Sequence, residues 1–406
     1  MHCDVLVVGA GPAGASCARQ LALGGARVIL ADRWVESPGK PCGEYLSPQG
    51  FAKLESLGVL EEVLRQPHRE LEGVSLTGRR GSVLRGRYSR FMGHEPCHPR
   101  GLAIERRFLD PILRRKAEAT PGVTPLAGAV LTGFQQTKDG VDARFQVGTR
   151  ELNVRARRLV GADGAHSLVA RTLGVDQRLP WLDRVALVGH LVGAPEGDVG
   201  ELHLGAGGYG ALAPVAPGRI NLNIVVPKIL FRQKGMEARD FFQDWIQRHE
   251  SLQVRLGASI LDGDVKVTSS MAHLARKVRV GSSLLIGDAA GFVDPFTGEG
   301  MFLALHTAEL ASSAVLSSLS QDEGSLRVYE DAFRRLVTPK IQACLMIQRL
   351  LSRPALADVL LGRVSRMRGL SNALVSLSGD YVPPGPRVLL GLASRALADL
   401  AGREAA

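Results

Sequence analysis

Residues 4–32 read DVLVVGAGPAGASCARQLALGGARVILAD, and the order of residue types in this stretch decides the architecture. DVLVV is a short, unbroken apolar run, the composition of a strand buried on both faces. Gly9, Gly11 and Gly14 follow in G-x-G-x-x-G spacing, then a helix pattern to about Leu23, a Gly24-Gly25 stop, and a second strand, RVIL, running towards Asp32. Gly9 permits the tight turn, Gly11 lets the backbone approach a pyrophosphate, and Gly14 lets the helix pack on the strand. The free N–H groups at the start of that helix then face the phosphates. Asp32, 18 residues after Gly14, is placed to accept hydrogen bonds from an adenosine ribose. Pro12 and Ala13 between the glycines, and Arg33 beside Asp32, complete the contacts expected of this βαβ dinucleotide unit.

Composition narrows the class further. The chain has 406 residues, 45% hydrophobic and 22% charged, room for two domains and a large core. That excludes a disordered chain, a collagen-like repeat and a coiled coil. Aromatic residues make up only 5%, too few for single-strand nucleic-acid platforms. The net charge of +10 admits an anionic partner (a dinucleotide, a phosphorylated or carboxylated substrate, an acidic carrier protein) and equally an arginine-rich surface without one. Its densest stretch is Arg79, Arg80, Arg85, Arg87 and Arg90, ending at Arg100; no nucleic-acid motif accompanies it. Cys3, Cys17, Cys42, Cys97 and Cys344 are odd in number and lack metal spacing, which predicts free thiols in a reducing compartment. His94 and His98 flank Cys97 without a second ligand cluster, so no metal site is expected. An apolar strand begins at residue 4 without a charged lead, and no apolar run reaches the roughly 18 residues of a membrane span. A cytoplasmic protein with no stable span is expected.

Two later segments separate one dinucleotide from another. RRLVGADGAHS (157–167) carries a strand into Gly161, Asp163, Gly164 and Ser167, and LLIGDAAGFVDPFTGEG (284–300) carries a strand into Gly287-Asp288 and a Pro295 loop ahead of a helix. With residues 4–32 they resemble the flavoprotein superfamily of aromatic-ring hydroxylases (group A monooxygenases), flavin-dependent halogenases and geranylgeranyl reductases, over residues 1 to roughly 345. The resemblance implies FAD on an α/β, Rossmann-like domain of glutathione-reductase type with an inserted antiparallel β-sheet substrate domain. It implies that Asp288 hydrogen-bonds the ribityl chain, and that Pro295, Gly298, Gly300 and Met301 bring backbone amides and a helix N-terminus to the pyrimidine edge of the flavin. A reduced flavin carries negative charge there, which a positive helix end stabilises. AIERRFLD (103–110) resembles the family's R-x-x-L-D helix start and implicates Arg106 rather than Arg107. Asp163, and Val130 as an adenine-side backbone contact, complete the implied set.

Within the superfamily, KPCGEYLSP (40–48) and the Gly291 that stands where ring hydroxylases usually carry histidine resemble the geranylgeranyl-reductase branch. Other features depart from it. The reductases have Cys-Gly-Gly where Glu44 stands, their Tyr-x-Trp-x-Phe-Pro strand is reduced to YGALAP (209–214), and their tandem arginine is Ala170-Arg171. The halogenase Trp-x-Trp-x-Ile-Pro signature is absent. The expected activity is an FAD-dependent oxidoreductase, first as an NAD(P)H-using monooxygenase that hydroxylates or epoxidises a lipophilic polyketide, aromatic or isoprenoid substrate, free or carrier- or phosphate-linked. The alternatives are a geranylgeranyl-reductase-like enzyme acting on carbon–carbon bonds, and a non-catalytic flavin-binding protein. No second G-x-G-x-x-G domain exists for nicotinamide, so NAD(P)H would dock transiently as reductant, with residues 79–100 as a landing surface. Flavin chemistry needs no protein nucleophile. By resemblance, residues 40–44 run close to the flavin ring, where Glu44 would protonate or orient substrate and Cys42 would line the pocket. The structural alternative has Glu44 capping a helix that starts near Ser47-Pro48, with Cys42 as filler. His190, His203 and Tyr209 fall on roof strands, where structural roles are expected.

The FAD fold is expected to be discontinuous, over 1–65, 101–175 and 275–345, with an antiparallel meander between 122 and 156. Segments 66–100 and 176–274, with alternating stretches such as RVALVGHLVG and RINLNIVV, would form the substrate domain, a sheet roofing the flavin closed by a helix at about 236–249. Residues 346–406 read as a helical, leucine-rich tail that caps the pocket, contacts a second subunit, touches lipid or packs on its own core.

Overall fold

The computed structural model describes residues 1–401 except 38, 206, 269–271, 321 and 322. The chain runs through β1 (His2–Val8), α1 (Pro12–Leu23) and β2 (Val28–Asp32), then crosses to β3 (Gly73–Thr77) and β4 (Val83–Arg87). It returns through α2 (Arg106–Glu118), β5 (Val123–Ala127), the meander β6 (Ala129–Thr137), β7 (Gly140–Val147) and β8 (Arg150–Gly161), and α3 (Leu168–Thr172). A second excursion contains β9 (Arg184–Val192), β10 (Gly200–Gly205), β11 (Gly208–Ala216), β12 (Arg219–Pro227), α4 (Ala238–Gln247), α5 (Glu250–Leu256) and β13 (Ile260–Val267). β14 (Ser283–Leu285) and α6 (Gly300–Ser320) complete the return, and the tail continues as α7 (Arg327–Leu336), α8 (Thr338–Leu351), α9 (Pro354–Val364), α10 (Arg368–Ser378) and α11 (Pro386–Leu400).

The first sheet holds parallel strands in the order β14–β8–β1–β2–β5. β1 is central, and Val5, Leu6 and Val7 are fully buried, as an unbroken apolar run requires when both faces of a parallel sheet are covered. β8 serves two pairings. Its C-terminal half lies parallel to β1 and its N-terminal half antiparallel to β7, so the meander is continuous with the nucleotide sheet. α6 has the length and hydropathy of a membrane span, but half of it is buried inside the protein, where it packs on α1 as a core helix.

The two excursions share one sheet, β13–β9–β12–β11–β10–β3–β4, antiparallel except where β10 meets β3. Strand alternation gives it two distinct faces. Leu187, Leu191, Leu222, Ile224 and Val226 pack on Phe241, Phe242 and Trp245 of α4 and Leu252 of α5. The opposite parity turns to the nucleotide domain, where Ala186, Tyr209 and Val225 cluster with Phe292 and Phe296. The tail docks on the first excursion, with Leu361, Ala373 and Val375 against Leu84, Tyr88 and Phe91. Its last residues, 402–406, lie outside the described residues.

Candidate functional site

Gly9 leaves β1 at φ +102, a conformation glycine adopts without strain. A Cβ on Gly9 would meet the Ala162 carbonyl oxygen at 2.4 Å, and one on Gly14 the Gly9 carbonyl oxygen at 1.7 Å. These two glycines let β1, α1 and the end of β8 touch. Gly11 is different, because nothing lies within 4 Å of a Cβ placed there. It is the N-cap of α1, with Pro12 at the first helical position and no acidic residue in the first turn. The result is an open, positive helix end suited to a pyrophosphate.

The other residues expected to contact the nucleotide lie on the neighbouring strands, helices and loops. The Asp32 carboxylate accepts hydrogen bonds from the Ala10 and Trp34 amides. Arg33 is exposed, with its guanidinium over the Trp34 ring. Val130 lies near the start of β6, beside β2. Asp163 accepts from the amides of Leu168 and Val169 and from Ser167 Oγ, so its side chain serves the start of α3. Burial pushes the Asp163 carboxyl up, against the pull of those donors. A side chain on Gly287 would strike Ala13 Cβ at 2.9 Å, which seats the end of β14 on α1. Next to it, Asp288 pairs with Lys40. Burial alone would raise the Asp288 carboxyl, but Lys40 beside it, with Arg106 and His273, brings it below its ordinary value. Arg106 is buried and forked onto Asp110, and also meets Cys42, while Arg107 is exposed and turns to Glu105. The open glycine, the helix end and the Lys40–Asp288 pair together fit FAD.

The Pro295–Met301 segment is held from three sides. Asp294, buried just before it, accepts from the Phe296 amide at 3.0 Å and from the Tyr209 hydroxyl of β11 at 2.5 Å, with Arg184 of β9 at 3.4 Å. Burial pushes the Asp294 carboxyl up, although Arg184 and Tyr209 oppose it. Tyr209 also sets its ring edge-on to Phe296 at 5.1 Å. Gly298, at φ +69, would clash with the Tyr45 ring if it carried a side chain. Gly300 opens α6, and Met301 is buried behind it. Glu299 pairs with Lys340 of α8, which also holds Asp380 between α10 and α11. Burial pushes the Asp380 carboxyl up to about 7.

Glu44 stands between α2 and the roof strands β9 and β12. It is 5% exposed and sits at φ +55, a left-handed backbone that costs a side-chain-bearing residue roughly 1–2 kcal/mol. Its carboxylate accepts from the Arg106 amide at 2.9 Å, meets His190 Nε2 of β9 at 2.7 Å and accepts from Asn221 Nδ2 of β12 at 3.0 Å. Glu44 therefore caps α2 from a distance. It does not cap the helix Gly50–Ser56, whose N-cap Gln49 makes no side-chain cap bond, and the sequence-local alternative is corrected. Asn221 also donates to the Cys42 carbonyl, and Cys42 Sγ accepts from the Glu44 amide. Glu105 lies 3.5 Å from His190 and is bonded to Arg219. Glu44, Glu105 and His190 offer ligand atoms within 4.8 Å of one another, but Asn221 and Arg219 already supply positive poles to the two carboxylates. The cluster places the His190 imidazole beside two carboxylates. A hydrogen on the Nε2 that faces Glu44 would leave Nδ1 as the acceptor nitrogen.

Other residues singled out in the sequence lie outside this cluster. His203 bonds Ser251 and Glu201 on the α5 side of the roof, a structural position. His98 stacks on Phe51, and Cys97 donates to the Pro48 carbonyl. The basic stretch is paired: Arg79 and Arg80 share Asp358, Arg85 meets Asp198, Arg87 meets Glu72, Arg90 meets Glu95, and Arg100 meets Glu70 and Glu72. Sequence reasoning missed Asp294, Lys340, Asp380 and Asn221. Asp294 lies inside the quoted LLIGDAAGFVDPFTGEG stretch, and Asn221 is a polar residue alternating with apolar ones in INLNIVV, a pattern that reads as a solvent face.

Comparison with known proteins agrees with this geometry. The chain matches the FAD binding domain family over residues 2–341 and belongs to it. It is 31% identical over 395 residues to 6-methylpretetramide 4-monooxygenase of Streptomyces rimosus, covering 94% of this chain and 90% of that one. It is 27% identical over 364 residues to digeranylgeranylglycerophospholipid reductase 1 of Methanothermobacter thermautotrophicus, covering 86% of each. A flavoprotein/dehydrogenase crystal structure from Cytophaga hutchinsonii superposes with a TM-score of 0.83 at 19% identity, over 100% of both chains. The chain is an FAD-dependent oxidoreductase.

Proposed function

We propose that this member of the FAD binding domain family is a monooxygenase that adds oxygen to an aromatic polyketide-type substrate, with NAD(P)H as transient reductant. Glu44 carries the reading. Position 44 has a left-handed backbone, which suits the second glycine that the resembled reductases have there. This chain accepts the strain of a glutamate, and the carboxylate is bonded to the Arg106 amide, His190 and Asn221. A charged residue kept in a strained backbone at a domain interface signals function. It provides a relay in which His190 Nδ1 takes the proton of a ring hydroxyl while Glu44 holds the resulting imidazolium. Removing that proton raises electron density on the ring and favours attack on an electrophilic oxygen.

FAD, when bound, supplies hydride acceptance and, after reduction, oxygen activation. Gly9, Gly11, Gly14, Asp32 and the start of α1 would hold its nucleotide part, with Lys40, Arg106 and Asp288 along its middle and the Pro295–Gly300 backbone at its ring. Asp163, Val130 and Arg33 support that site from its periphery, and Cys42 lines the substrate side. The five free thiols suit a cytoplasmic enzyme. The similarity to the Streptomyces monooxygenase over nearly the whole of both chains supports the same choice.

A single turnover tests it. Reduced holoenzyme is mixed with hydroxylated polycyclic aromatics, with and without dioxygen, and the product mass is read. A gain of one oxygen atom, labelled when the gas is labelled, is the expected result. A gain of two hydrogens without dioxygen would instead assign the reductase chemistry.

A further inference from the structure

Four leucines of the last helix, α11, face solvent. Leu389, Leu390, Leu397 and Leu400 are between 67% and 72% exposed. With the exposed Ala393 they fall within an arc of about 100° around the helix. A surface helix ordinarily turns polar residues to water. Here a different side of the helix is docked. Val388 and Leu392 pack with Tyr88, Phe91 and Val375, and a Cβ on Gly391 would meet Met92 Sδ at 2.6 Å. At the far end Asp399 accepts from the amides of Gly369 and Leu370 at 3.2 and 2.9 Å. These contacts fix the orientation of α11, so the leucine arc is a built surface. The charge around it has one sign. Arg387 and Arg395 lie on α11, and Arg366 and Arg368 stand just ahead of and at the start of α10, which Asp399 ties to the end of α11. None of the four forms an ion pair among the described residues. The one carboxylate of α11, Asp399, is occupied by the two amides. The arginines of 79–100 differ, since Arg79, Arg80, Arg85, Arg87, Arg90 and Arg100 each meet a carboxylate.

We infer that α11 docks along an anionic lipid surface, with the leucine arc among the acyl chains and Arg366, Arg368, Arg387 and Arg395 at the phosphates. A helix with an apolar arc flanked by unpaired arginines lies in a membrane interface, where burial of the leucines and attraction to anionic lipid add. The contact is peripheral, because α6, the one helix of spanning length among the described residues, is half buried in the protein. A second copy fits the charge poorly. Two-fold pairing of the same arc would bring the same arginines together without a carboxylate between them. An acidic protein would answer the charge but would need a groove for leucines spread over about three helical turns, whereas lipid conforms to projecting side chains. The inference goes beyond the monooxygenase reading and does not depend on it.

The test is co-sedimentation of the full-chain holoenzyme with vesicles of phosphatidylcholine, alone or mixed with phosphatidylglycerol, at low and at high salt. The wild type is expected to bind the mixed vesicles about tenfold or more tighter than phosphatidylcholine alone, and salt should shrink that preference. Leu389→Ser combined with Leu397→Ser should weaken binding to the mixed vesicles about tenfold or more. The melting temperature of that variant should stay within about 2 °C of the wild type, since both side chains are exposed. Arg368→Gln combined with Arg387→Gln should remove most of the preference for phosphatidylglycerol and leave binding to phosphatidylcholine as it was. No binding to the mixed vesicles would leave the arc to a protein partner and overturn the inference. Equal binding to both vesicle types, or undiminished binding by the leucine variant, would overturn it as well. So would a melting temperature lowered by several degrees in the leucine variant, the mark of packed side chains. A wild-type dimer in sedimentation equilibrium that the leucine substitutions dissociate would assign the arc to a second copy and likewise overturn the inference. No turnover is involved, so these outcomes stand apart from the product-mass test.

Discussion

The nucleotide cradle and the roof above it are built by opposite means. In the cradle the working surface is backbone, and Gly9, Gly11, Gly14 and Gly287 act by what they lack. In the roof the working surface is side chains that meet across long stretches of chain, as Glu44 meets Asn221 and Tyr209 meets Asp294. A backbone cradle tolerates no added atom where packing is closed, and a side-chain roof tolerates exchange wherever the hydrogen-bond count is kept. That contrast can be tested at several points.

The strongest break is at the glycines. Gly14→Ala must displace the Gly9 carbonyl, so the apoprotein itself should melt lower by about 5 °C or more. Gly11→Ala, with open space around it, should leave the apoprotein melting point within about 1 °C yet lower FAD affinity roughly tenfold or more. Calorimetry and flavin titration separate the two, and equal effects from both would erase the distinction between closed and open glycines.

Glu44→Gln keeps an acceptor for the Arg106 amide but loses the charge facing His190. Flavin content should stay at the wild-type level while turnover falls by about 100-fold. Unchanged turnover would make Glu44 a cap and nothing more. Tyr209→Phe leaves Asp294 buried with one donor fewer, a cost of about 1–3 kcal/mol, seen as a melting point lower by a few degrees.

The tail joint should respond to pH. The Asp380 carboxyl is pushed up to about 7 by burial beside Glu299, even though Lys340 opposes the shift. In the unfolded chain it titrates near its ordinary value of about 3.9. Between those values the folded state holds the extra proton, so this contribution to stability is full below about pH 4 and is lost as pH rises towards 7. The melting point should carry that downward slope in the wild type, and Asp380→Asn should flatten it. The smallest effect is at the paired arginines. Replacing Arg85 and Arg90 with Ser should change the KM for NADPH by less than about twofold, because both are exposed, already paired and each contributes little. A large rise would return the landing surface to residues 79–100.

The cradle was legible because its signals are local. Gly9 to Asp32 belongs to one βαβ unit, and the Gly287-Asp288 segment and the R-x-x-L-D helix start are contiguous motifs recognised by their resemblance to the family. The roof was legible only as alternation. INLNIVV shows a polar row without saying whether water or a flavin domain faces it, and burial of Asn221 and Asn223 reverses the usual reading. Glu44 shows the same limit from the other side. Its nearest helix in sequence starts at Gly50, but the amide it caps belongs to Arg106, brought there by the pairing of Tyr45 with Ala103.

By itself the sequence determined the βαβ unit, the FAD motifs, the meander and the existence of a strand-rich insert, because each depends on spacing between neighbours along the chain. Tertiary structure alone decided that Glu44 holds His190, that Tyr209 clamps Asp294, that Lys340 ties the tail to Glu299, and which carboxylates meet the basic stretch. Those facts depend on which charges and donors lie opposite one another after folding. Electrostatic and hydrogen-bond partners are chosen by distance in space, which a linear spacing does not encode.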